Sequence, residues 1–157
     1  MVLTRRSALL GAGTTAAAVA AAGAFIATRT PSRALRPWDE ALRGAYGDPR
    51  LRALAYAVLA PNPHNRQPWL IELRGTDRIL LFCDLDRRLP ETDPFDRQIA
   101  IGFGCFLELL RMAAAREGLA ATIEPFPEGE PRPRLDDRPV ARIGFAPAER
   151  SSDPLFA

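Results

Sequence analysis

APNPHNRQPW, residues 60–69, runs from the end of one apolar segment to the start of another at Trp69. Prolines 61, 63 and 68 set their own φ, and each biases the residue before it (Ala60, Asn62 and Gln67) toward extended backbone. A loop so restricted holds its side chains in place before any ligand arrives, which lowers the ordering cost of binding. Asn65 and Gln67 each carry an amide donor and an amide acceptor. Two positions apart in extended backbone, they lie on one side of the chain. Such amides suit a planar heterocycle whose polar edge sets carbonyl acceptors beside an N–H donor, as a flavin ring does. They suit equally a rigid turn that satisfies its own backbone. Chemistry alone does not decide between the two.

Before the loop, Leu51–Ala60 places Leu51, Leu54, Ala55, Val58 and Leu59 at spacings of three and four, which predicts a helix with one buried face, ended by Pro61. After it, Trp69–Leu73 and Arg78–Cys83 read as two strands of a hairpin turning at Gly75–Asp77. An acidic, proline-containing loop over 84–96 precedes a long helix from about Phe95 to Glu117, with Asp93 and Asp96 at its start and Gly118 as its cap. The first half of that helix, Ile99–Leu107, has no charge on any face. It is either a central core helix or a helix at a subunit or half-domain interface. Gly102 and Gly104 allow another backbone to come close. Ala120–Phe126 and Val140–Phe145 complete the strands, around a Pro-rich loop at Pro127–Pro139. This order predicts an α+β fold with a largely antiparallel sheet packed with a long central helix.

The chain of 157 residues bounds one main domain. All 21 basic residues are arginine, against 19 acidic ones, and the formal charge is +2. Arg5, Arg6 and Arg29 lie in the first 30 residues, which hold no acid; without them 18 arginines face the 19 acids. No basic surplus remains to attract nucleic acid. Thr4-Arg5-Arg6-Ser7 followed by an uncharged Ala/Gly/Thr-rich run to Ala27 has the pattern of a twin-arginine export signal, with an Ala-rich helix or a membrane anchor as the other readings. Thr30–Arg36 reads as a linker and Trp38–Tyr46 as a short helix. The expected organisation is therefore a signal or anchor over 1–30, linker and short helix over 31–50, and a folded domain over 51–157.

The single histidine excludes a multi-histidine zinc site, and Cys83 and Cys105 lack metal-site spacing. Buried free thiols are the reading favoured over a disulfide. No nucleophile elbow, dinucleotide loop or phosphate loop is present.

The pattern H-N-x-Q-P-W between an apolar helix and a strand resembles the flavin-binding loop of the nitroreductase family, where the stretch commonly runs A-P-S-x-x-N-x-Q-P-W. Asp96-Arg97-Gln98 and the Gly-containing apolar run behind it are similar too. Within that family the chain looks most like the Acg-like subgroup, whose members often carry twin-arginine signals. The resemblance covers roughly Leu51 onward. It implies that Asn62, Pro63, His64, Asn65 and Gln67 lie along the ring of FMN, with Asn65 and Gln67 foremost. It also implies an oxidoreductase passing electrons from NAD(P)H through FMN to nitro or quinone-like acceptors. Two departures stand out. Asn62 replaces the usual Ser, and the family's Arg-Arg-Ser-x-Arg phosphate motif and its basic residues near the C-terminus are absent. Acg-like chains hold two such halves, so an incomplete domain is expected, paired with a second copy or a second half. The alternatives are a non-enzymatic FMN-binding protein and an exported interaction domain without cofactor.

Overall fold

The computed structural model describes residues 5–29, 32–44 and 46–156. The chain divides into two compact units, Met1–Arg36 and Pro37–Ala157. Helix α1 (Arg5–Arg29) belongs to the first, and α2 (Ser32–Arg43) crosses the boundary. Thr4, which opens the paired-arginine segment, and Thr30 at the start of the expected linker lie outside the described residues. Most of that linker is helical instead. Arginine, alanine and leucine favour helix strongly enough there to carry Pro37 inside α2, at the loss of one backbone bond.

In the second unit, α3 spans Pro49–Ala57. It begins before the expected Leu51 because Asp48 caps it: the Asp48 carboxylate accepts the Arg50 N–H at 2.8 Å, and Pro49 takes the first helical position. Strands β1 (Trp69–Arg74) and β2 (Arg78–Cys83) form the expected hairpin, with Gly75 at φ +55 in its turn. The long helix α4 spans Arg97–Arg116, and β3 (Leu119–Pro125) and β4 (Ala141–Pro147) follow. The four strands lie in the order β1-β2-β4-β3, every pair antiparallel. The expected α+β architecture is the one observed.

Alternation along the strands sends Ile79, Leu81 and Cys83 of β2 and Ala141, Ile143 and Phe145 of β4 to one face. There they meet Ile99, Phe103, Phe106 and Leu110 of α4 and Ala53, Leu54 and Ala57 of α3 in one core. Burying side chains of this size contributes about 1.5–3 kcal/mol each. Trp69 anchors the start of β1 against α4, edge-on to Phe103 at 5.6 Å and tilted to Phe106 at 5.0 Å.

The start of α4 is capped differently from the simple reading. Asp93 accepts the N–H groups of Arg97 (2.8 Å) and Ile99 (3.0 Å). Asp96, with φ at +55, turns its carboxylate away from the helix. Only 2% exposed, it accepts the Leu135 N–H at 3.0 Å and pairs with Arg88 at 3.1 Å, fastening the loop before β4 onto α4. At the other end Gly118, with φ at +81, closes the helix as expected. By length and composition α4 could cross a membrane, yet Ile99, Phe103, Phe106 and Leu110 are buried in the protein core.

Candidate functional site

The loop over 61–68 is stiff, but it is folded rather than extended. Asn62 is extended as its proline neighbour demands, with φ −152 and ψ 156. The chain then tightens into a 3-10 turn over Pro63–Asn65. His64, Asn65 and Gln67 all take positive φ, near 50. The left-handed region is uncommon for residues with a side chain, although Asn and His enter it more readily than most. The alternation that would set Asn65 and Gln67 on one side of an extended chain therefore does not apply.

Asn62 accounts for the difference. Its Oδ1 accepts the Gln67 N–H at 2.7 Å and its Nδ2 donates to the Ala60 carbonyl at 3.1 Å, so its amide closes the loop on itself. A second brace comes from the 3-10 turn over Leu85–Arg87. Arg66 donates to the carbonyls of Arg87 (3.0 Å) and Asp86 (3.1 Å), while Arg87 donates back to those of Arg66 (3.0 Å) and Gln67 (3.3 Å). Two turns 20 residues apart are thus locked by reciprocal guanidinium–carbonyl bonds.

These bonds leave specific groups free. The side chains of His64, Asn65 and Gln67 have no hydrogen-bond partner among the described residues; His64 and Asn65 are exposed and Gln67 is half-buried. Of the five residues implied by the resemblance, Asn62 thus spends its side chain on the loop, and three present unused polar groups.

Helix α4 supplies the wall beside the loop. A cleft of about 400 Å³ lies between Pro61, Asn62 and Pro63 on one side and Gln98, Ile101, Gly102 and Cys105 on the other. Gly102 permits this approach: a Cβ there would stand 3.4 Å from the Asn62 Cβ and 3.5 Å from the Pro63 Cδ. The structure brings Asn62 and Pro63 into this cleft; His64, Asn65 and Gln67 do not line it. The α4 residues that line it were visible in the sequence only as an uncharged, Gly-containing run.

Neither cysteine is paired. Cys83 lies opposite Trp69 in the hairpin, and burial pushes its thiol up to about 12. Cys105 is half-buried and lines the cleft.

The donor set suits the polar edge of a flavin ring, since the free Asn65 and Gln67 amides offer both donors and acceptors. The neighbouring cleft against α4 does not suit a phosphate tail, since no basic side chain lines its wall.

No protein-family model matches the sequence. Over 97 residues the chain is 36% identical to a Mycobacterium tuberculosis protein named NAD(P)H nitroreductase acg, an alignment covering 62% of this chain and 28% of that one. Over 94 residues it is 35% identical to a second M. tuberculosis protein named as an NAD(P)H nitroreductase, covering 60% of this chain and 26% of the other. The chain thus spans little more than a quarter of the length of these relatives. Among solved structures, a protein named as an NADH oxidase from Clostridium acetobutylicum superposes with a TM-score of 0.52 at 17% identity, over 68% of this chain and 80% of that one. A nitroreductase-like family protein from Bacillus cereus gives a TM-score of 0.48 at 15% identity, over 69% and 78%.

The fold is nitroreductase-like. In a nitroreductase-like frame, the braced turn at 62–67 and the Gly102 face of α4 sit side by side, with Gly102 admitting the backbone of Asn62 and Pro63.

Proposed function

We propose that the chain is the flavin-holding part of an exported FMN-dependent oxidoreductase of the nitroreductase kind. The observation that carries this reading is the double brace on the loop. Asn62 and the Arg66–Arg87 pair hold the turn rigid, while the side chains of Asn65 and Gln67 keep unused amides. Bound FMN would supply the redox chemistry, taking hydride from NAD(P)H and passing electrons to a nitro or quinone-like acceptor. The protein's part is to orient the ring through Asn65, Gln67 and His64, with Asn62 and Pro63 supporting it against α4.

The partner in this reading is a second copy or a second half-domain. Its support is the strip of α4 that the folded unit leaves open: Ile101 is 69% exposed, and a Cβ at Gly104 would meet nothing within 4 Å. Export rests on the paired arginines at 5 and 6 and the uncharged run behind them. Replacing both by lysine should block export; continued export would remove the twin-arginine reading. A second reading, a flavin binder with little turnover, draws on the missing basic side chain in the cleft.

The deciding experiment is an absorbance spectrum of the purified chain after incubation with FMN and dialysis. Retained flavin bands that bleach on adding NAD(P)H support the oxidoreductase. Retained bands that persist support the binder, and a colourless folded protein overturns both.

A further inference from the structure

A second cleft, on the other flank of α4, holds about 410 Å³ between the start of that helix and the segment leading to β4. Most arginines of the second unit are tied to a carboxylate or a carbonyl: Arg50, Arg52 and Arg88 are half or fully buried in such pairs, and the half-buried Arg138 and Arg142 and the exposed Arg74 are paired as well. Among the described residues of the second unit, Arg97, Arg134 and Arg150 are left with no such partner, and two of these, Arg97 and Arg134, line this one cleft.

Their meeting is built into the fold. The buried Asp96 carboxylate holds the Leu135 N–H at 3.0 Å, so the residues next in sequence, Arg97 and Arg134, are brought together by that bond. Around them the wall is mixed: the carboxylates of Asp96 and Glu130 also line it, the first engaged by Arg88 and the Leu135 N–H and the second by Arg132. Phe95 and Phe126 line it with Pro131 and Pro133, and the Arg97 guanidinium sits 5.7 Å from the centre of the Phe95 ring. The prolines stiffen the wall. Arg132 also lines the cleft but is paired with Glu130 at 3.0 Å. Asp93 occupies the Arg97 and Ile99 N–H groups at the start of α4, and the charged donors of the cleft are the guanidinium groups.

We propose that this cleft binds a phosphate monoester with an aromatic body. Two unpaired guanidinium groups offer more donors than a single carboxylate accepts, and a phosphate monoester brings three acceptor oxygens and close to two negative charges. The rings of Phe95 and Phe126 and the proline wall take the planar, apolar part. This site is separate from the amide loop and does not rest on the flavin reading.

The test is calorimetric titration of the full chain with phenyl phosphate and, separately, with inorganic phosphate. Phenyl phosphate should bind more tightly than inorganic phosphate and weaken as salt is raised. Arg97→Gln with Arg134→Gln should weaken it by about tenfold or more, as loss of charge-assisted hydrogen bonds does, while Arg150→Gln changes it less than about twofold. The single variant Arg134→Gln, at an exposed position, gives the same sign if the double variant folds poorly. Asn65→Ala with Gln67→Ala should leave phenyl phosphate binding intact. No binding to the unaltered chain, equal affinity in the double variant, or inorganic phosphate binding as tightly as phenyl phosphate would each overturn the proposal.

Discussion

The side-chain oxygen of Asn62 accepts the backbone N–H of Gln67 at 2.7 Å, across a turn in which three side-chain-bearing residues have positive φ. This bond, together with the brace between Arg66 and Arg87, sustains a backbone that these residue types adopt reluctantly. Asn62→Ala removes it together with the donation to Ala60. The loss should be about 1–2 kcal/mol, a fall of a few degrees in Tm. Hydrogen exchange at the Gln67 amide should accelerate; an unchanged rate would mean that the brace from Arg87 suffices.

Asn65 and Gln67 have the opposite relation to the fold, since their side chains hold nothing in it. Asn65→Ala with Gln67→Ala should therefore cost only the strain of alanine at two positive-φ positions, a fall of a few degrees in Tm, and weaken FMN binding by about tenfold or more. Undiminished affinity would exclude the loop from the flavin site.

Arg50 is 7% exposed and joins three parts of the unit. It pairs with Asp48 at 2.7 Å and donates to the carbonyls of Gly75 (3.0 Å) and Arg78 (3.2 Å). Arg50→Met should cost about 2–3 kcal/mol, because two hairpin carbonyls and a carboxylate lose a charged donor. The hydrogen bond from Arg50 holds the Asp48 carboxyl below its ordinary value of 3.8. That contribution is fully present above the ordinary value and is lost as pH falls through the lowered one. Acid unfolding of Arg50→Met should accordingly begin at higher pH, which a circular-dichroism titration would reveal.

Gly102 and Gly104 differ although they are one turn-half apart on α4. Gly104 faces open space, so Gly104→Ala should stabilise the isolated chain by about 0.5–1 kcal/mol. Gly102→Leu should push on Asn62 and Pro63 and destabilise. Thermal melts of the two variants shifting in the same direction would contradict this packing.

Cys83 is buried, with its thiol pushed up to about 12, whereas Cys105 is half-buried on the cleft. Iodoacetamide near neutral pH should modify Cys105 first, as peptide mass mapping would show. Equal labelling would mean that the hairpin opens in solution.

The hairpin, the long helix and the strands after it could be read from the sequence because local patterns govern them: alternation in β2 and β4, the Asp-rich start and Gly118 cap of α4, and the turn at Gly75. Apolar spacing places the start of α3 at Leu51, two residues late, because the start is set by the Asp48 cap and Pro49 rather than by the buried face. Side-chain use inside the 62–67 turn was not legible at all. The prolines after Asn62 and Gln67 argued for extended backbone; Asn62 keeps it, while Gln67, bonded to Asn62, takes positive φ, and His64 and Asn65, which no following proline restricts, do the same. Nor could the sequence tell which uncharged face of α4 is core. Phe103 and Phe106 met Trp69 and the sheet, while Ile101 was left in the open. Residue types and spacings determine which elements form, since those interactions reach only a few positions along the chain. Which amide closes a loop and which remains free depends on contacts that exist only after Arg66 has met Arg87, and Gly102 has met Asn62, across the folded unit.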